Sequence, residues 1–140
     1  AGREFTRVLG ITIGTGLGAA FVVDGEPVPE AGGVVAGDLW RVVTHTGATA
    51  DRAFAARTLL AAVAADPATG GSEFGRDLAG LLAPAVVAAE AEVVVVGGGG
   101  AGSFAEFAGA LQAGLAVPVR RASLGAWAPL IGAAHLSFPG

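Results

Sequence analysis

Polar and apolar positions divide the chain into two regimes. In the first third, short apolar runs alternate with glycine and acidic corners. "RVLGITI", residues 7 to 13, is β-branched and apolar and predicts a strand. "GTGLG" follows, then "AAFVV", then Asp24-Gly25, then "EPV". Two apolar runs around Asp-Gly predict a hairpin, so this region reads as a strand meander with two sharp corners. "PEAGGVVAGDLWRVVTHTG" is less regular, with "LWRVV" as a candidate strand.

Helical periodicity takes over near residue 51. In "DRAFAARTLLAAVAA" the spacing puts Ala53, Ala56, Leu60 and Val63 on one face. "DPATGG" breaks that helix, and Ser72 caps the next. Its apolar stripe is Phe74, Leu78, Leu81, Leu82, Ala85, Val86 and Ala89, with a kink expected at Pro84. "EVVVV", residues 92 to 96, predicts a short buried strand, and "GGGGAG" a loop. Ser103 with Glu106 forms a capping box for a helix carrying Phe104, Phe107 and Leu111. "VPVRRAS" predicts another strand. "LGAWAPLIGAAHLS" predicts a last helix, with Trp127, Leu130, Ile131 and Ala134 at helical spacing. Strands followed by helix, helix, strand, helix, strand, helix predict an α/β layered fold with parallel pairing in its later part.

Composition narrows the function classes. The chain has 140 residues, 53% of them apolar and 14% charged, with a net charge of −4. This is enough for one domain with a core. No apolar run reaches the roughly 18 residues that span a bilayer, and 78 to 96 is interrupted by Pro84, Glu90 and Glu92. No basic segment leads into an apolar one as in a signal peptide, so no membrane partner is expected. The only basic cluster is Arg120-Arg121, which argues against a nucleic-acid surface. There is no cysteine, which excludes disulfides and thiolate metal sites and fits the cytoplasm. With no methionine at residue 1 or elsewhere, the sequence reads as a segment of a longer protein.

The glycines at 14, 16 and 18 admit three readings. The first is a tight corner that uses glycine for its backbone freedom. The second is a dinucleotide fingerprint, with Gly14, Gly16 and Ala19, or Gly97, Gly99 and Gly102, as its small residues. Arg120 and Arg121 would then be placed for the 2′-phosphate of NADP. "FVVDGEPVP", however, continues as strand and turn where that fingerprint needs a helix. The third is a mononucleotide clamp. A strand–G-x-G-x-G–strand corner exposes successive amides to phosphate, with Thr15 adding a hydroxyl. The Gly97 to Gly100 run, ahead of a helix N-terminus, would accept the nucleoside.

Among single residues, Asp24 reads as a turn residue, His45 as a loop histidine and His135 as structural. Trp40 and Trp127 read as core or interface. Arg120 and Arg121 should point to opposite faces of their strand. No His pair or carboxylate cluster has metal-ligand spacing.

Three stretches, in order, resemble a known family. "GITIGTGLGAAFVVDGEPV" resembles the phosphate-binding hairpin of the ROK family, sugar kinases and sugar-responsive repressors of the actin-like ATPase superfamily. "EVVVVGGGGAGSFAEF" resembles that family's adenosine loop, and "RRASLGAWAPLIGAAHLS" its closing strand and helix. The resemblance implies an actin-like (ribonuclease H-like) α/β lobe, antiparallel hairpin strands followed by βαβα with helices on a mixed sheet. It implies ATP with Mg²⁺, the phosphates on Gly14, Thr15, Gly16 and Gly18, and adenosine beside Gly97, Gly98 and Gly99. A glucose-like hexose, an N-terminal lobe of the same protein and a homo-oligomer are the implied partners.

Departures from the family are informative. Residues 1–140 match only the C-terminal lobe. The Asp-x-Gly-Gly-Thr loop and the catalytic Asp of the other lobe are absent, so this chain is expected to carry no catalytic residue. The family's sugar-holding Glu-Ile-Gly-His corresponds here to "AGDLWRV", with Asp38 in place of the Glu and no His following. The family's cysteine-rich zinc loop is missing. A sugar-responsive regulator or a degenerate lobe is therefore the alternative to a kinase half.

Overall fold

The computed structural model describes residues 5–98 and 103–122. A five-stranded mixed sheet forms its centre, built from β1 (Arg7–Ile13), β2 (Leu17–Val23), β3 (Glu26–Val28), β6 (Val93–Gly97) and β7 (Val119–Arg121) in the spatial order β3-β2-β1-β6-β7. β1 pairs antiparallel with β2, and β2 with β3, whereas β1–β6 and β6–β7 are parallel. This is the hairpin-then-crossover order expected from the sequence. Asp24 and Gly25, with φ of 53° and 79°, make the tight β2–β3 turn, a conformation that Asp tolerates and Gly adopts without strain.

Alternation along β1 and β2 places Leu9, Ile11, Ile13, Leu17, Ala19 and Phe21 on one face. Helices α3 (Gly70–Ala89) and α4 (Phe104–Ala113) contribute Leu78, Leu82, Phe107 and Leu111 to the same core. An edge-to-face aromatic chain links Phe54, Phe74, Phe107 and Phe104, with centroids 5.4, 5.5 and 5.7 Å apart. The opposite sheet face carries Val8, Val93 and Val95, with Phe5, Val22 and Ala122 against them. Two side chains tie remote ends together. Glu92 Oε1 accepts hydrogen bonds from Thr6 N, Thr6 Oγ1 and Arg7 N, at 2.8, 2.7 and 2.9 Å. Gln112 donates to Val117 O and accepts from Val119 N, closing the α4–β7 turn.

Several local expectations are corrected. "LWRVV" is not a strand: a 3₁₀ helix covers Ala36–Arg41, after the two-residue strands β4 (Glu30–Ala31) and β5 (Val34–Val35). The helix expected from residue 51 is two pieces, α1 (Ala50–Ala53) and α2 (Ala56–Ala65), broken at Phe54-Ala55. Packing Phe54 into the core rotates the second piece, so that Leu59 is buried and Leu60 is 59% exposed. α3 begins at Gly70 rather than after Ser72. Asp66, bonded to Thr69 Oγ1 at 2.6 Å and to the Ala68 and Thr69 amides, organises that start. α3 runs unbroken through Pro84, which is exposed. Ser103 occupies the N-cap of α4, but its side chain makes no capping bond. Neither Arg120 nor Arg121 turns inward: both are exposed on the edge strand β7, and the Arg120 guanidinium lies 5.6 Å from the Phe5 ring centroid. The expected helix from "LGAWAPLIGAAHLS", with Trp127 and His135, lies outside the described residues.

Candidate functional site

The candidate site lies at the carboxyl ends of β1 and β6, the end of a parallel pair at which α/β sheets present ligand crevices. Register fixes the arrangement. Thr12 of β1 is level with Gly97 of β6, so the corner 14–16 and the loop that begins at Gly98 leave neighbouring strands side by side. Gly98 has φ of 88°, and a Cβ there would lie 2.8 Å from Ile13 O. Only glycine allows the second loop to cross so close to the first. The structure therefore brings Gly14, Thr15, Gly16, Gly18, Gly97 and Gly98 to one end of the sheet. Gly99 lies outside the described residues.

The corner itself is a short, strongly tied loop. Ile13 pairs with Leu17, and Gly14 N donates to Gly16 O at 3.0 Å. Leu17 N donates to Asp51 Oδ1 at 3.2 Å, and Gly14 O accepts from Ala56 N at 2.8 Å. Among the described residues the amides of Thr15 and Gly16 have no partner, and the Thr15 side chain is exposed. Two adjacent unpartnered amides beside a hydroxyl suit an anion such as phosphate. Positive φ is not why glycines occur here, because Gly14, Gly16 and Gly18 are not among the positive-φ residues. A Cβ on Gly16 would overlap the Asp51 carboxylate, while one on Gly14 would meet open space. The helix α4, which follows the second loop in sequence, starts at Phe104 and lies in the crossover between the parallel strands β6 and β7.

Other candidate residues lie elsewhere. Asp38 is on the 3₁₀ helix, exposed, with Arg41 Nη1 3.8 Å away, and Arg41 also lies 5.0 Å over the Trp40 ring. His45 is on an exposed loop lining an open cleft of about 680 Å³ between residues 42–48 and helices α2 and α3. Phe54 and Phe74 line the same cleft, as do Arg52 and Arg76. Among the described residues no group of three His, Asp or Glu side chains converges as a metal site. No described helix is long and apolar enough to cross a membrane. Asp51 and Ala56 were invisible to sequence reading. Their partners are 34 and 42 positions away, and locally they resemble any helix start.

No family model matches the chain, and no curated protein matches it in sequence. Solved structures do match. A ROK hexokinase from Thermus thermophilus superposes with a TM-score of 0.66 at 26% identity, over 96% of this chain and 57% of its own. A ROK family glucokinase from Streptomyces griseus, in complex with glucose and AMPPNP, gives 0.70 at 19% identity over 97% and 62%. An inorganic polyphosphate/ATP-glucomannokinase from Arthrobacter gives 0.64 at 29% identity over 98% and 48%. A ROK family transcriptional regulator matches as well, at 0.61 and 15%. The fold class is thus an α/β lobe, a mixed sheet with helices packed on it, of the kind these kinases contain. Within that class the chain is consistent with a ROK-family fragment, and it spans less than two thirds of the length of the kinases it matches.

Proposed function

We propose that this chain is the nucleotide-binding C-terminal lobe of a two-lobe ROK-type sugar kinase. It would hold ATP–Mg²⁺ for phosphate transfer to a glucose-like hexose and be inactive without the N-terminal lobe, which brings the catalytic base. The observation that carries this reading is the abutment of two glycine loops, with Thr12 level with Gly97 and Gly98 lying against Ile13. The unpartnered Thr15 and Gly16 amides would take phosphate oxygens, and the loop from Gly97 would flank adenosine. Phosphoryl transfer needs positioning and charge neutralisation more than covalent chemistry, so a lobe that only grips the donor is a sensible half of such an enzyme. The S. griseus glucokinase, solved with glucose and AMPPNP, supports hexose and nucleotide as the ligand classes. A cytoplasmic location and assembly with further copies belong to the same proposal.

The test is titration of the chain with ATP–Mg²⁺, followed by amide NMR shifts at Thr15 and Gly16. Thr15→Val should weaken binding about tenfold with little loss of stability, since the residues are nearly isosteric and a hydroxyl-to-charge bond contributes about 1.5 kcal/mol. Gly16→Val should lose both, because its Cβ overlaps Asp51. Unchanged affinity in Thr15→Val would remove the hydroxyl from the phosphate site.

The second reading is a sugar-responsive regulator or a degenerate lobe. One observation favours it: Asp38 stands where the resemblance places the sugar-holding Glu, is exposed, and is engaged by Arg41. Assay of the parent polypeptide with a hexose panel and ATP or polyphosphate separates the two.

A further inference from the structure

We infer that residues 51–56 are a positioning brace for the phosphate corner, with Asp51 as its key side chain. This rests on the nucleotide reading above. The segment grips the corner at both ends. Asp51 Oδ1 accepts from Leu17 N at 3.2 Å, and Ala56 N donates to Gly14 O at 2.8 Å. Between those two anchors lie Thr15 and Gly16, whose amides have no partner among the described residues. The Asp51 carboxylate is also packed so closely on Gly16 that a Cβ at that position would displace it from its place against the corner.

The physical consequence is preorganisation. A free three-residue corner would lose backbone entropy when phosphate orders it, at roughly 1 kcal/mol per residue. A corner already fixed at both ends has lost that entropy during folding, so more of the phosphate contact appears as affinity. A carboxylate beside an anion site is electrostatically unfavourable for the ligand, which argues that Asp51 serves geometry rather than charge. The break between α1 and α2 has the same explanation. It lets one short segment turn twice, presenting Asp51 to Leu17 and then Ala56 to Gly14.

Three variants of the 140-residue chain test the brace. Asp51→Ala removes the acceptor, and Asp51→Asn keeps an acceptor while removing the charge. Ala56→Pro deletes the donor at a first helical position that suits proline, after Ala55, whose φ of −71° and ψ of 154° already satisfy the restriction before proline. ATP–Mg²⁺ affinity is measured well below each melting temperature, alongside hydrogen exchange at the Thr15, Gly16 and Leu17 amides. Asp51→Ala and Ala56→Pro should each weaken binding about three- to tenfold, and Asp51→Ala should speed exchange of the Leu17 amide, which loses its acceptor. Asp51→Asn should restore wild-type affinity or exceed it. If Asp51→Ala lowers only the melting temperature and leaves affinity and exchange unchanged, the brace is merely structural and the inference fails. Failure of the wild type to bind ATP–Mg²⁺ sinks the nucleotide reading instead. Exchange then decides the brace alone: unaltered protection at Leu17 in Asp51→Ala overturns it.

Discussion

Two glycines five positions apart in α3 should respond to alanine with opposite signs. Gly75 is buried against α4. A Cβ there would overlap Phe107 O and lie 3.0 Å from Leu111 N and 3.1 Å from Ala110 Cβ. Gly80 is exposed, and a Cβ there meets nothing within 4 Å. Alanine gains about 1 kcal/mol over glycine in a helix interior, mostly through the unfolded chain, at either position. At Gly80 nothing opposes that gain, so Gly80→Ala should stabilise by about 0.5–1 kcal/mol. At Gly75 the helices must separate, because the nearest obstacles are backbone atoms that cannot rotate aside. Overpacking of this kind costs roughly 1–3 kcal/mol. Separation also loosens the Phe74–Phe107 edge contact, whose centroids are 5.5 Å apart, at about 0.5–1.5 kcal/mol for a good aromatic pair. The cost exceeds the propensity gain, so Gly75→Ala should be destabilised by about 1–3 kcal/mol. Urea unfolding followed by circular dichroism reads both, with equal slopes in all three proteins as the condition for comparing midpoints. If Gly75→Ala raises the midpoint as Gly80→Ala does, the close approach of α3 to α4 is wrong.

Two further outcomes follow from other parts of the chain. The Glu92 carboxyl is held below the ordinary carboxylate range, chiefly by the Thr6 hydroxyl and then by the Arg7 and Thr6 amides. A lowered folded-state pKa adds stability above the unfolded value that is lost as pH falls through the folded one. Glu92→Gln should therefore be less stable at neutral pH and show a shallower loss of melting temperature on acidification; parallel curves would dismiss the Thr6–Glu92 bond. At the end of α3, Glu90 holds φ of 55°, a left-handed conformation that suits glycine better. Glu90→Gly should raise the urea midpoint by the equivalent of about 0.5–1 kcal/mol, and a lowered midpoint would contradict that backbone geometry.

What could be read from the sequence and what could not divide along contact distance. The β1–β2 hairpin, the Asp24-Gly25 turn, β6 and the stripes of α3 and α4 all follow from patterns within a few residues, and each is present. The stripe of α2 failed because Leu59 and Leu60 are equivalent locally. Phe54, packed against Phe74 twenty positions on, decides which of them turns inward. "LWRVV" has strand composition, but its first three residues end a 3₁₀ helix and only Val43 makes a β-bridge, to Thr49. Propensity yields to tertiary context in such cases.

The corner glycines show how a local backbone argument can miss the reason for a residue. Backbone freedom would have explained them alone, yet none of Gly14, Gly16 and Gly18 uses positive φ. Gly16 is small because Asp51 lies against it, and Gly98 is bare and left-handed because Ile13 lies beneath it. Both pressures are long-range, and both converge at the carboxyl end of β1. Three segments remote in sequence, around residues 14, 51 and 98, thus meet at one strand end, where a side chain on Gly98 would press on the Ile13 backbone and one on Gly16 would displace the Asp51 carboxylate. A bare turn needs no such convergence, since the β2–β3 corner is made by Asp24 and Gly25, where a Cβ on Gly25 would meet nothing within 4 Å. The crowding at one corner and its absence at the other distinguish a turn tied down by remote segments from a turn set by its own two residues.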